Sequence, residues 1–216
     1  MSRLVLRVAL LGGVCLAQAT KIPTLRFSLD WPESDPSHYA ITIASDGKGT
    51  YVSDGKLMRP SDPPNPAQVG FTLLPSTTSH IFDLVKRSRY LEGDMELHHN
   101  VAFTGKKTLS YEDLNHKVQV SYNYPSLPAV QELTAFFQGL SNTLEFGRRL
   151  ESDLQYEKLA LDEDLKNLDE AEKDGRVPEI AVLSPILLKI AEDHANLNIV
   201  RARAERLLAS RDSRKR

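Results

Sequence analysis

Cysteine is nearly absent from this chain. Cys15 stands alone in 216 residues, so no intrachain disulfide can form, and no C-x-x-C pair offers redox chemistry or a thiolate metal site. Long apolar runs are missing too. None reaches the roughly 18 residues a membrane span needs, which excludes a polytopic membrane protein. Charge of one sign is scarce: 27 Lys and Arg stand against 29 Asp and Glu, a net −2, which argues against a protein built mainly to bind nucleic acid. There is no G-x-S-x-G elbow, H-E-x-x-H pair, phosphate loop, dinucleotide fingerprint or glycosylation sequon. What is present is 41% hydrophobic and 26% charged. That composition belongs to a globular domain and excludes wholesale disorder, collagen and a coiled-coil rod.

Residues 1–19 read as a secretory signal peptide. Arg3 and Arg7 supply the positive start, Val8 to Leu16 the short apolar stretch, and Ala17-Gln18-Ala19 the small-x-small cleavage pattern. The expected mature chain begins at Thr20, lacks cysteine and carries a net −4. A lipoprotein anchored through Cys15 is the alternative, but Val14 and two glycines precede that residue. No membrane span is expected after removal of the leader. The expected location is periplasmic or extracellular, in a bacterium.

The remainder divides near Pro125, into an expected domain over 20–125, a helical region over 126–210 and a basic tail over 211–216. Before Pro125 apolar residues alternate with polar ones, the period of a half-buried strand. Leu25, Phe27, Leu29 and Trp31 do so, as do Tyr39, Ile41 and Ile43. Asp46-Gly47-Lys48-Gly49 predicts a hairpin turn returning through Thr50-Tyr51-Val52. Pro60, Pro63, Pro64 and Pro66 mark an exposed loop. A strand over 69–74 precedes an expected helix over about 78–90, capped by Ser76 or Thr77, with Ile81, Leu84, Val85 and Tyr90 inward. Strand alternation resumes at Val101, Phe103, Leu109 and Tyr111, and again at Val118, Val120, Tyr122 and Tyr124. Asp113 to His116 forms the expected connection. The fold class read from this is α+β: an antiparallel sheet of five or six strands with one packed helix, then a C-terminal helical hairpin or three-helix region.

After Pro125 the spacing becomes helical. Val130, Leu133, Phe137, Leu140 and Leu144 step by three and four. Ile180, Leu183, Leu187, Ile190, His194, Leu197, Arg201, Ala204 and Leu208 continue that step and predict one long helix, with Pro178 in its first turn and a bend at Pro185. Between these lies an acidic helix over 160–173, supported by the pairs Asp162/Lys166 and Asp169/Lys173 and ended by Gly175. Residues 145–174 carry a net −6 and residues 176–216 a net +4. Two helices lying side by side would satisfy both charges; two surfaces for partners are the alternative.

Few residues suggest chemistry. His98 and His99 follow Asp94 and Glu96, a set that would suit a divalent metal such as zinc if a loop gathers it. On a strand the two imidazoles would face opposite ways. A solvated polar loop is the competing reading. His194 is expected buried in its stripe against a carboxylate. Asp162-x-Asp164 lacks the glycine and the last glutamate of a calcium loop. Thr104-Gly105-Lys106-Lys107-Thr108 is read as a bulge or tight bend with outward lysines. No cofactor and no catalytic residue is indicated.

The segment Pro36-Ser37-His38-Tyr39-Ala40-Ile41-Thr42-Ile43, with Asp46-Gly47 and Tyr51 after it, resembles a group of uncharacterised secreted bacterial domains. These open with a strand of the form Tyr-x-Leu/Ile-x-Ile-x-x-Asp-Gly. The resemblance covers about 25–140 and implies a fold but no site residues. Those domains often carry cysteines ahead of the tyrosine, and this chain does not. The expectation for function is a non-enzymatic protein of the cell envelope that binds a protein partner or a surface. The alternative is a hydrolase or metal-binding protein using His98, His99, Asp94 and Glu96.

Overall fold

A computed structural model describes residues 21–57 and 63–213. The expected leader with Cys15, the centre of the proline-rich loop and the last three residues of the basic tail lie outside them. The sheet has six strands: β1 Thr24–Asp30, β2 His38–Ala44, β3 Lys48–Ser53, β4 Ala67–Thr72, β5 Lys106–Glu112 and β6 Lys117–Tyr122. Every neighbouring pair is antiparallel, in the order β4-β3-β2-β1-β5-β6. Among the described residues the five α-helices are α1 Pro75–Arg87, α2 Pro128–Tyr156, α3 Leu161–Lys173, α4 Ser184–Glu192 and α5 Asn198–Ser213. The α+β class read from the sequence is the fold observed.

Strand alternation sets the layers. Leu25, Phe27 and Leu29 of β1, Ile41 and Ile43 of β2, Tyr51 of β3 and Leu109 of β5 are buried on one face. Two helices cover that face: α1 through Ile81, Leu84 and Val85, and the first half of α2 through Val130, Leu133, Phe137, Leu140 and Leu144. Phe27 and Phe137 stack at 5.1 Å between ring centres. The opposite face carries polar side chains in register, such as Arg26 between Thr42 and Ser110. A second core holds Leu150 at the far end of α2, then Leu165 and Leu168 of α3, Leu187 and Ile190 of α4, and Val200, Ala204 and Leu207 of α5. One 29-residue helix thus runs through both cores.

Several expectations are corrected. Helix α1 starts at Pro75, whose fixed φ suits a first turn; the Thr77 hydroxyl donates to Glu179 instead of capping. The helix ends at Arg87, and Tyr90 falls in a left-handed turn with φ of 56°, stacked on His116 at 4.0 Å. Residues 101–103 form no strand, and Phe103 is 63% exposed. The expected long C-terminal helix is broken twice. Pro178 precedes the helical turn Ile180–Leu183, and Pro185 opens α4 instead of bending it. The chain then turns at 193–197. There the Asp193 carboxylate accepts the Ala195 N–H and the Asn196 amide donates to the Ile190 carbonyl, side-chain bonds that compete with helix continuation. His194 and Leu197 sit exposed in this turn, contrary to their place in the stripe.

The acidic helix and the basic end do meet: Arg203 Nε donates to Asp162 at 2.9 Å. Asp169 pairs with Lys173 at 2.6 Å, but Lys166 turns to Glu170 because Asp162 faces α5.

Candidate functional site

Three strand ends and a helix converge beside Trp31. In the sheet register Asp30 faces Lys106, and Lys107 faces Tyr122, so the end of β1 lies against the start of β5 and the exit of β6. The first half of α2 closes the fourth side with Gln131, Thr134, Ala135 and Gln138. The cavity enclosed is about 420 Å³, within the roughly 300–1,000 Å³ typical of ligand pockets.

Lys107 is the charged group in its wall. It occupies the inward phase of β5 with Leu109 and Tyr111 and is 3% exposed. The expected outward pair of lysines is therefore wrong for Lys107: adjacent residues of a strand face opposite ways, and only Lys106 reaches solvent. Its Nζ donates to the carbonyls of Asn123 at 2.8 Å, Thr104 at 3.0 Å and Gly105 at 3.2 Å, and to the Thr104 hydroxyl at 3.0 Å. Burial lowers its pKa from the usual lysine value, opposed by the charge of Glu96. Gly105, with φ of +92°, allows this tight approach; a Cβ there would lie 2.6 Å from that of Trp31.

The residues expected to bind metal divide between support and solvent. The Glu96 carboxylate accepts the backbone N–H groups of Asn123 at 2.7 Å and Tyr124 at 3.3 Å, which fixes the segment lining the pocket. Asp94 accepts the Glu96 N–H at 2.9 Å and meets His98 Nε2 at 2.6 Å. His99 is exposed. Asp94 and His98 thus come together, while Glu96 is committed elsewhere. Among the described residues no group of three His, Cys, Asp or Glu side chains is placed to hold a metal ion.

The pocket's polar groups are unevenly used. Thr134 exchanges a 2.7 Å bond with Tyr122, and Asn123 Oδ1 accepts from Thr104. Gln131 donates to the Pro125 carbonyl at 3.0 Å. The Gln131 carbonyl oxygen, the whole Gln138 amide and the Tyr124 hydroxyl have no hydrogen-bond partner among the described residues. The indole N–H of Trp31 is buried and likewise unpaired.

Other titratable clusters are structural. In the 210 Å³ cleft between the β1–β2 loop and α2, the charged side chains are answered by neighbours, Glu145 by Arg148 at 2.7 Å and Arg176 by Asp174 at 3.0 Å. The Glu145–Arg148 pair is buried and also binds Tyr51, Ser53 and the Asn65 carbonyl. It ties β3 and the loop after it to α2. Asp113 accepts from the Asn115 and His116 backbone and from Tyr111, which makes the β5–β6 turn. Asp153 is pushed up to about 7 by burial and by Asp164 facing it, but neither residue lines the cavity beside Trp31.

Sequence reasoning missed Trp31, Lys107 and the amides. The available signal was the phase of Lys107, two residues before Leu109 and four before Tyr111. Gln131, Ala135 and Gln138 share one helical face, but nothing in their types marks it as a pocket wall. The chain matches no protein-family model and no curated protein.

Proposed function

We propose that this is an exported, non-enzymatic binding protein of the bacterial envelope, and that its ligand or partner enters the Trp31–Lys107–Tyr124 pocket. The carrying observation is the state of Lys107. The amine is the one strong nucleophile in the pocket wall, and its three hydrogens already face four oxygens. An attacking amine needs a free lone pair, whereas a tied ammonium builds a wall. Aromatic faces and unused amides beside it suit recognition. Export is supported by the leader pattern of residues 1–19.

Trp31 is the single tryptophan of the chain, so its emission reports on the pocket directly. A panel of small polar, apolar and peptide probes should contain members that shift it saturably. Ala135→Phe fills the pocket from an exposed position on α2 and should abolish that response. A panel that leaves Trp31 unmoved defeats the binding reading. N-terminal sequencing from the native host tests export: Thr20 is expected first, and a chain retaining Met1, or a lipid on Cys15, overturns the cleavage site.

A further inference from the structure

The chemistry of the wall narrows the ligand. Resting on the reading of this cavity as a binding site, we propose that it takes an uncharged, hydroxyl-rich ring: a neutral saccharide. The argument begins with charge. The Lys107 ammonium repels a cation. It offers an anion no unspent hydrogen, since three N–H groups meet four oxygens. Among the described residues no arginine, aspartate or glutamate lines the cavity. A charged ligand would therefore give up its hydration for neutral dipoles alone, with no charged group free to answer it.

An entirely apolar ligand fails for the opposite reason. It would cover the Gln138 amide, the Gln131 carbonyl oxygen and the Tyr124 hydroxyl and leave them unpaired, each a desolvation cost. An amide is at once donor and acceptor, and a sugar hydroxyl is the same. The two are complementary in either orientation. Gln131 and Gln138 stand seven residues apart on α2, two turns along one face, so they can meet hydroxyls at separate positions of a ring or of two linked rings. The remaining requirement is apolar. Trp31 and Tyr124 contribute aromatic rings to the wall, and the C–H face of a sugar ring packs on such surfaces while its hydroxyl edge stays wet. Tyr124 is 44% exposed at the same site, which leaves the pocket open to a chain longer than one ring.

The test uses the purified full chain and Trp31 emission. Maltose and chitobiose are the neutral probes, glucuronate the charged one, and an anilinonaphthalene dye and an aromatic dipeptide the non-saccharide ones. At least one neutral disaccharide should shift the emission saturably. Gln138→Leu should weaken that binding by roughly tenfold, the order expected for one lost hydrogen bond, with an unchanged unfolding midpoint because the Gln138 side chain has no hydrogen-bond partner among the described residues. Ala135→Phe should abolish it. If the dye or the dipeptide binds in an Ala135→Phe-sensitive way and no neutral saccharide does, the saccharide assignment is overturned while the pocket reading stands. Glucuronate binding more tightly than the neutral sugars overturns the charge argument. Silence from every probe overturns both readings.

Discussion

The two cores of this molecule are built from the same apolar side chains but were unequally readable. In the sheet core, β1 is central and buries Leu25, Phe27 and Leu29 in strict alternation. In the helical core, α4 and α5 bury residues whose spacing runs on unbroken through a turn that is not helical. The difference lies in what the two periods encode. A strand residue has one of two faces, so a slip of one position moves every side chain to the wrong side. A three-and-four step only says that residues share a side, and it continues numerically across a break. Hence Leu187, 1% exposed, and Leu197, 57% exposed, belong to one arithmetic stripe and to opposite environments.

The largest expected effects test whether the two cores act as one. Phe137→Ala, in the sheet core, should cost about 3–5 kcal/mol, and Leu187→Ala, in the helical core, about 2–5 kcal/mol, through lost transfer energy and the cavity left behind. Because α2 passes through both cores, each variant should still unfold in a single transition by tryptophan emission and by far-ultraviolet dichroism. Two separate transitions would show that the cores are independent.

Arg148 sits where the sheet meets the helical half, 5% exposed and bonded to Glu145. Arg148→Ala leaves a carboxylate buried without its partner and should destabilise by about 3–5 kcal/mol. Replacing both, as Glu145→Gln with Arg148→Met, should restore much of that loss. Urea midpoints of the two variants compare them; equal losses would mean that the pair matters for packing and not for charge.

Acid–base behaviour separates the halves further. Asp153 in the helical core is raised from 3.8 to about 7. Burial and the hydrogen bond with Asp164 favour its protonated form, and the charge of Glu157 adds to this against Arg149. A carboxyl whose folded value is raised contributes fully below about pH 4, where it is protonated in both states. That contribution is lost as pH rises through about 7. Stability should therefore decline from pH 4 to 7, and Asp153→Asn should flatten the decline. Urea midpoints at pH 5 and pH 8 decide it, and an unchanged slope in the variant would remove Asp153 as the cause.

The smallest effect is the sharpest contrast. Leu197→Ala should change stability by no more than about 0.5 kcal/mol, although it continues the stripe of Leu187. A loss near that of Leu187→Ala would mean that the 193–197 turn is helical in solution.

The candidate site was less legible than either core. Glu96, Asp94, His98 and His99 are of types that bind metals. Glu96 instead holds the backbone at Asn123 and Tyr124, a partnership 27 residues away in the chain. Pairing type with type cannot find a carboxylate whose partner is a backbone N–H, since every residue but proline carries one. The pocket itself joins β1, β5, β6 and α2, and none of its residues is unusual alone.

Sequence by itself determined the period of each segment: which residues of β1 to β3 face inward, where the Asp46-Gly47 hairpin turns, and the apolar stripe from Val130 to Leu144. These are local, because steric limits on the backbone and the burial of alternating or helical faces act over a few residues. Tertiary structure alone decided where the C-terminal helices break, that Lys107 is buried and bound by carbonyls, and that Gln131 and Gln138 border a cavity. Each depends on atoms brought together from distant parts of the chain. Lys107 makes the point. A lysine two residues from Leu109 is outward or inward by phase, but it stays inward only because Thr104, Gly105 and Asn123 supply the oxygens that replace its water.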